Sequence, residues 1–175
     1  MIRPATSADA EAIAAMHVRA WSAGFREFID AGLLPDAVLE ERIGFWHRCL
    51  GRPAGEIHVL VADHPERGIL GVCLILPTSE DADLGDPGIA QIPVLYVDPS
   101  AWRAGLGRSL LAEGRRWLRR KGRHSWVLWT LADHGATLAF YTAEGFRPDG
   151  AERPPDATFP RLIRLRAPVG DATNP

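Results

Sequence analysis

Cysteine is almost missing from this 175-residue chain. Cys49 and Cys73 are too few for a disulfide framework, and each lies in or just after an apolar stretch, as a buried free thiol would. Lys121 is the one lysine among 20 basic residues, a skew that points to coding bias rather than to function. Long apolar runs are missing too: Gly68 to Pro77 falls far short of the roughly 20 residues that span a bilayer. The N-terminus, Met1-Ile2-Arg3-Pro4-Ala5-Thr6, has no apolar signal region. No membrane role and a cytoplasmic address are therefore expected. A formal net charge of −2 and a pI near 6.3 give no overall pull toward nucleic acid or anionic lipid, so any basic surface must be local.

What is present suits one globular domain. The chain is 46% hydrophobic and 24% charged, which argues against disorder, and a chain of this size buries about 70% of its unfolded surface. No internal repeat or dividing linker is visible. Residues 1–167 are expected to form a single domain, with a loose tail over 168–175.

A short strand around Ile2 precedes Thr6, a helix cap with Asp9 three residues on. Ile13, Met16, Ala20 and Trp21 then recur at helical spacing. Pro35 is placed to open a second helix carrying Val38, Leu39, Ile43, Phe45 and Trp46. Ile57 to Ala62 and Ile69 to Leu76 read as a β-hairpin turning at Asp63 to Gly68. After an acidic loop from Ser79 to Gly88, a third run covers Ile89 to Val97. Leu106, Leu110, Gly114, Trp117 and Leu118 line one face of a helix of about 16 residues, roughly 24 Å long. A strand (Trp126 to Leu131), a helix (Gly135 to Ala143), a turn at Glu144-Gly145 and two late strands near Phe146 and Leu162 to Leu165 complete the order. The pattern β-α-α-β-β-β-α-β-α-β-β is an α+β or α/β sandwich with a parallel crossover at the long helix.

The most informative stretch is Val94-Leu95-Tyr96-Val97-Asp98-Pro99 followed by Trp102-Arg103-Ala104-Gly105-Leu106-Gly107-Arg108. A strand empties into a turn whose glycines open a long helix. The first helical turn leaves backbone N–H groups unpaired and carries partial positive charge. Glycines let an anion approach that backbone, and Arg103 and Arg108 add mobile charge, so a phosphate or pyrophosphate is the natural ligand. The alternative is a softened turn that binds nothing. A dinucleotide fingerprint fits less well, because Leu110 stands where G-x-G-x-x-G needs its third glycine.

Together with Ala139-Phe140-Tyr141-Thr142-Ala143-Glu144-Gly145-Phe146, this stretch resembles the two signature regions of the GNAT superfamily of N-acetyltransferases. The family's phosphate loop runs Q/R-x-x-G-x-G/A. Gly105 and Gly107 match it, while Trp102 replaces the usual Gln or Arg and Arg103 follows. The later signature, N-x-x-A-x-x-F-Y, reads His134-Gly135-Ala136-Thr137-Leu138-Ala139-Phe140-Tyr141, with His134 for Asn and Thr137 for Ala. The resemblance implies a mixed, mostly antiparallel central sheet with helices on both faces. Its fourth and fifth strands would splay apart near Pro93, a residue that cannot donate to a strand ladder.

The resemblance also implies direct attack of an amine on acetyl-CoA in a ternary complex, with acetyl-CoA as cosubstrate and no metal. Leu95, Tyr96, Val97, Arg103, Ala104, Gly105, Leu106, Gly107, Arg108, His134, Thr137 and Phe140 would hold the cofactor. The Val97 N–H would stabilise the oxyanion and Tyr141 would act as general acid. The glutamate many members place in the fourth strand is Gln91 here, which cannot act as a base. Trp21, Phe25, Phe28 and Trp129 are candidates to wall the acceptor pocket, or else are core aromatics. The expected partner is a small-molecule or peptide amine, with a homodimer open. The cluster Arg115, Arg116, Arg119, Arg120, Lys121 and Arg123 reads as a solvated helix face, with a site for the nucleotide phosphates of coenzyme A or for RNA as the lesser readings, and no nucleic-acid module accompanies it. A catalytically silent acyl-CoA sensor is the rival reading, motivated by Gln91 and His134.

Overall fold

The computed structural model describes residues 1–25, 37–53, 55–79, 81, 84–156 and 160–170. Its strands are β1 (Ile2–Pro4), β2 (His58–His64), β3 (Gly68–Leu76), β4 (Ile89–Val97), β5 (Ser125–Leu131), β6 (Arg147–Arg153) and β7 (Leu162–Pro168). The helices are α1 (Ala10–Phe25), α2 (Ala37–Leu50), α3 (Leu106–Arg120) and α4 (Gly135–Ala143). The strands form one mixed sheet in the order β1-β2-β3-β4-β5-β7-β6. β4 and β5 run parallel, while β1–β2, β2–β3, β5–β7 and β6–β7 are antiparallel. The expected element order and mixed sheet are both present. Among the described residues no helix is long and apolar enough to cross a membrane.

Two compact units divide these elements: Met1–Ile75 with Val94–Gly114, and Leu76–Pro93 with Arg115–Pro175. In the first unit the Ile13, Met16 and Ala20 stripe of α1 and Trp46 of α2 are buried with Val59, Val61, Val72, Leu74 and Val94. Each fully buried aliphatic side chain contributes about 1.5–3 kcal/mol. α3 approaches β3 from the other face, where a Cβ on Gly71 would meet Leu110 Cδ1 at 3.1 Å. Glycine is there because a side chain would hold the helix off the strand. The N-terminal helix departs from the sequence expectation in its first turn. Asp9 reaches back to accept from the Thr6 N–H and hydroxyl at 2.7 and 2.9 Å, closing a 3-10 turn over Ser7–Asp9 before α1 begins at Ala10. Arg3 grips the same carboxylate with two nitrogens at 2.8 Å each, which holds Asp9 well below the usual carboxylate range.

In the second unit the β4–β5 ladder runs from Ile89↔Ser125 to Gln91↔Val127. Pro93, exposed, comes two residues later and has no N–H to offer. Trp126 of β5 packs on Phe146 with ring centroids 5.3 Å apart, and both are fully buried. Gly145, with φ of 90°, ends α4 in a Schellman cap: its own N–H bonds the Thr142 carbonyl, and the Phe146 N–H bonds the Tyr141 carbonyl at 2.9 Å. Residues 168 and 169, expected to lie in a loose tail, are ordered instead. Pro168 closes β7, and buried Val169 donates its N–H to the His124 carbonyl at 2.9 Å. Residues 171–175 lie outside the described residues.

A buried histidine in the first unit was not singled out from sequence. His17 stacks on Tyr96 at 4.5 Å, and its Nδ1 accepts from Trp46 Nε1 at 3.2 Å. That bond assigns the ring proton to Nε2. Burial, helped by the Arg42 charge, pushes His17 down to about 3, and burial pushes the Tyr96 phenol up to about 12. Folded protein therefore keeps His17 neutral where an unfolded chain would protonate it below its ordinary value near 6.5. Stability from this group is complete above that value and is lost as pH falls toward 3. Between pH 7.5 and pH 5.5 the loss should be about 1.4 kcal/mol. Urea melts at the two pH values should show this extra loss in the wild type against His17→Asn, which keeps an acceptor for Trp46. Equal losses would show that His17 does not titrate on unfolding.

Candidate functional site

The first unit contains the whole of the turn between β4 and α3. Asp98, buried at the end of β4, organises it. Its N–H donates to the Leu70 carbonyl at 2.9 Å, and its Oδ1 accepts from the Ser100 N–H at 3.0 Å and from the Ser100 hydroxyl. Its Oδ2 accepts from Arg19 Nε and Nη2 of α1 at 3.0 and 2.8 Å. Burial raises the Asp98 carboxyl, but the Ser100 and Arg19 hydrogen bonds outweigh it, and the group lies below its ordinary value. Pro99–Ala101 then form a 3-10 turn. Trp102, half exposed, turns its indole back to donate from Nε1 to the Val97 carbonyl at 2.7 Å.

Two left-handed residues follow, Arg103 with φ of 65° and Gly105 with φ of 78°. A bulky side chain is rare there, and arginine in that region marks a demanding turn. Ser109 returns its N–H to the Gly105 carbonyl at 3.0 Å. The amides of Leu106 and Gly107 therefore lie ahead of the first intrahelical bond. Nothing lies within 4 Å of where a Gly105 Cβ would stand, so the backbone at Gly105 faces open space. This arrangement fits a phosphoryl group.

The second unit contains the other signature. His134 caps α4: its Nδ1 accepts from the Thr137 N–H at 3.2 Å. The imidazole is a helix cap where the family pattern has Asn. Tyr141 is buried, its ring 5.6 Å from Phe146 edge to face. Gln91 Oε1 accepts from the Ser79 hydroxyl at 3.3 Å. Trp129 is largely engaged already. Its Nε1 donates to Asp81 Oδ2 at 2.9 Å and Arg153 lies 4.0 Å over its ring.

Residues 17–146 match the Acetyltransferase (GNAT) family. The chain belongs to the GNAT acetyltransferase family. Mycothiol acetyltransferase of Amycolatopsis mediterranei (strain U-32) is 39% identical over 62 residues, 35% of this chain. The chain spans about a fifth of that relative's length, 21%. The PaiA N-acetyltransferase of Thermoplasma acidophilum, solved with coenzyme A, shares the fold at a TM-score of 0.79 and 16% identity, over 96% of this chain and 98% of that one. YncA of Salmonella typhimurium, solved with acetyl-CoA, does so at 0.68 and 21%, over 100% and 96%.

Within this GNAT chain Leu95, Tyr96, Val97, Arg103, Ala104, Gly105, Leu106, Gly107 and Arg108 belong to the first unit, and Gln91, Trp129, His134, Thr137, Phe140 and Tyr141 to the second. Trp21 is half-buried on α1. The Phe25 side chain and all of Phe28 lie outside the described residues. The basic cluster divides. Arg116, Arg119 and Arg120 are exposed, whereas Arg115 donates to the Glu144 carbonyl at 3.0 Å and Arg123 to the Pro87 carbonyl at 2.6 Å. Among the described residues no group of three or more His, Cys, Asp or Glu could hold a metal ion. Sequence reading missed the Arg19–Asp98 and Trp102–Val97 bonds. Asp98-Pro99 was a visible turn signal, but nothing in the sequence named Arg19 as its partner.

Asp98→Ala should cost about 2–3 kcal/mol in a urea melt, because it strips charged hydrogen bonds from a buried group. Arg19→Ala should cost about 1 kcal/mol or less, since that guanidinium is largely solvated. Equal losses would show that the Arg19 pair, rather than the Ser100 cap, carries the turn.

Proposed function

We propose that this chain transfers an acetyl group from acetyl-CoA to a primary amine. The observation that carries the reading is the turn after β4, where left-handed Arg103 and Gly105 lead the backbone into α3 and open space surrounds the place of a Gly105 Cβ. The amides of Leu106 and Gly107 take the pyrophosphate, with Arg103 and Arg108 adding charge. Leu95, Tyr96, Val97, Ala104, His134, Thr137 and Phe140 complete cofactor binding on the strength of the family match. The Val97 N–H receives the negative charge that builds on the thioester oxygen, an interaction of about 3–4 kcal/mol in other enzymes. The Val97 carbonyl is already held by Trp102, which fixes that end of the strand.

The amine nitrogen forms a bond to the acyl carbon, the C–S bond breaks, and the thiolate leaves. Tyr141 supplies the hydrogen bond that tightens on the departing sulfur. Complete proton transfer from a phenol of pKa about 10 to a thiolate of about 8.5 would be uphill by roughly 2 kcal/mol. Gln91 accepts no proton, and His17, whose Nδ1 is engaged and whose basicity burial has removed, does not replace it. The attacking amine loses its proton to water or to another carboxylate, or arrives partly neutral. The relatives named mycothiol acetyltransferase support a small-molecule acceptor. Residues 1–167 act as one domain in this reading, in the cytoplasm, where Cys49 and buried Cys73 stay reduced. The rival reading, an acyl-CoA sensor without turnover, draws on Gln91, whose carbonyl oxygen serves Ser79.

Acetyl-CoA should raise the melting temperature under both readings, while free thiol should appear with a panel of amines only if the chain is an enzyme. Gly105→Asp should abolish the thermal shift, because it puts a carboxylate into the phosphate concavity; an unchanged shift would remove the turn from the cofactor site. Tyr141→Phe should lower kcat by about a hundredfold and leave the acetyl-CoA shift in place. Full activity in that variant would deny Tyr141 its role.

A further inference from the structure

Tyr141 stands in the last turn of α4, and a helix of 9 residues is marginal by itself. Its place therefore depends on what holds the C-terminal end of that helix. The Schellman cap takes the Thr142 and Tyr141 carbonyls. Two arginines from other elements add to it. Arg115 of α3 donates from Nη2 to the Glu144 carbonyl at 3.0 Å. Arg147 of β6 donates from Nη1 to the Thr142 and Phe146 carbonyls at 2.8 and 2.7 Å. Cations suit this end of a helix, where the partial charge is negative.

The two arginines differ in their surroundings. Arg147 is exposed, whereas Arg115 is half-buried and lies over the Trp126 ring, 5.5 Å from its centroid. Trp126 packs on Phe146 at 5.3 Å, and Phe146 meets the Tyr141 ring edge to face at 5.6 Å. Arg115 thus reaches Tyr141 by two routes. One runs through the Glu144 carbonyl that ends the helix, the other through the aromatic stack that seats the ring. All of these residues belong to the second unit.

Arginine is a costly choice at this place. Its Nε is buried and has no hydrogen-bond partner among the described residues. A buried unpaired donor costs free energy, and the face of the Trp126 ring offsets part of that cost. What the guanidinium fixes in return is the last turn of α4.

We propose that Arg115 is a positioning residue, which holds that turn so that the Tyr141 hydroxyl is aimed at the departing sulfur. It acts through Tyr141 rather than on the reacting atoms. This role rests on the reading of Tyr141 as the donor to that sulfur. It adds a residue of α3 that neither signature motif contains, and it separates Arg115 from the exposed arginines of the same helix.

Tyr96 and Tyr141 are the 2 tyrosines of the chain, so 3-fluorotyrosine labelling gives two fluorine signals, assigned with Tyr141→Phe. Arg115→Met keeps an apolar stem and removes the donor and the charge. It should shift or broaden the Tyr141 signal and leave that of Tyr96, in the first unit, in place. In the unlabelled chain kcat should fall at least about tenfold. KM for acetyl-CoA and the acetyl-CoA thermal shift should not change. In a Tyr141→Phe background the same substitution should lower kcat no further. Arg115→Lys keeps the charge and a donor, and should restore the Tyr141 signal and most of kcat. If Arg115→Met folds poorly, as a displaced Tyr96 signal would show, Arg115→Gln takes its place in each comparison. An unmoved Tyr141 signal would overturn the role of Arg115, and so would an equal loss of kcat in the Tyr141→Phe background. Full activity of Tyr141→Phe would instead remove the donor role of Tyr141 itself, so the two failures are told apart.

Discussion

The strand β4 ends in a buried carboxylate, and the geometry of the first unit's functional turn depends on it. Asp98 has to be desolvated for β4 to end where it does, and desolvation is tolerable because the Ser100 N–H, the Ser100 hydroxyl and Arg19 supply donors. Each donor comes from a different constraint. Ser100 makes the chain reverse immediately, and Arg19 ties the reversal to α1. Once the direction of the chain is set in this way, Trp102 can close on the Val97 carbonyl, and Arg103 and Gly105 can be held in the left-handed region. The left-handed turn before α3 is then a consequence of how the strand is terminated.

The second unit solves its own problem with different means. α4 needs both ends closed, and it gets His134 at one and the Schellman cap at Gly145 at the other. Phe146 leaves that cap pointing into Trp126 and Tyr141, so the cap also builds the core. On the strands, charge is handled pairwise. Trp129, Asp81, Arg153, Arg164 and Asp149 satisfy one another, and Arg166 lies 3.7 Å from the same Asp149.

Much of the fold was legible because short-range rules governed it. Period-3.6 stripes marked Ile13, Met16 and Ala20 on α1 and Leu110 and Leu118 on α3, and β-rich runs bounded by turns gave the hairpin and β4. Local chemistry also exposed the glycine turn, since a strand followed by two glycines and a helix is visible in a dozen residues. Long-range partners were not legible. Arg19 and Asp98 are far apart in the chain, as are Trp129 and Asp81, and an arginine's partner leaves no periodic trace. The sequence shows departures from the family pattern at Trp102 and His134. The structure shows each side chain making a specific bond, to the Val97 carbonyl and the Thr137 N–H.

The sequence alone determined the order of elements, the position of the helix-opening turn and the family, because these follow from spacing, backbone freedom at glycine and motif separation. Only the tertiary structure decided which charges are paired. It buried His17 against Tyr96, put Asp98 within reach of Arg19, and set Arg147 across from Arg166. Burial and cross-strand register depend on where distant segments meet, and free energies of desolvation and ion pairing exist only after they have met.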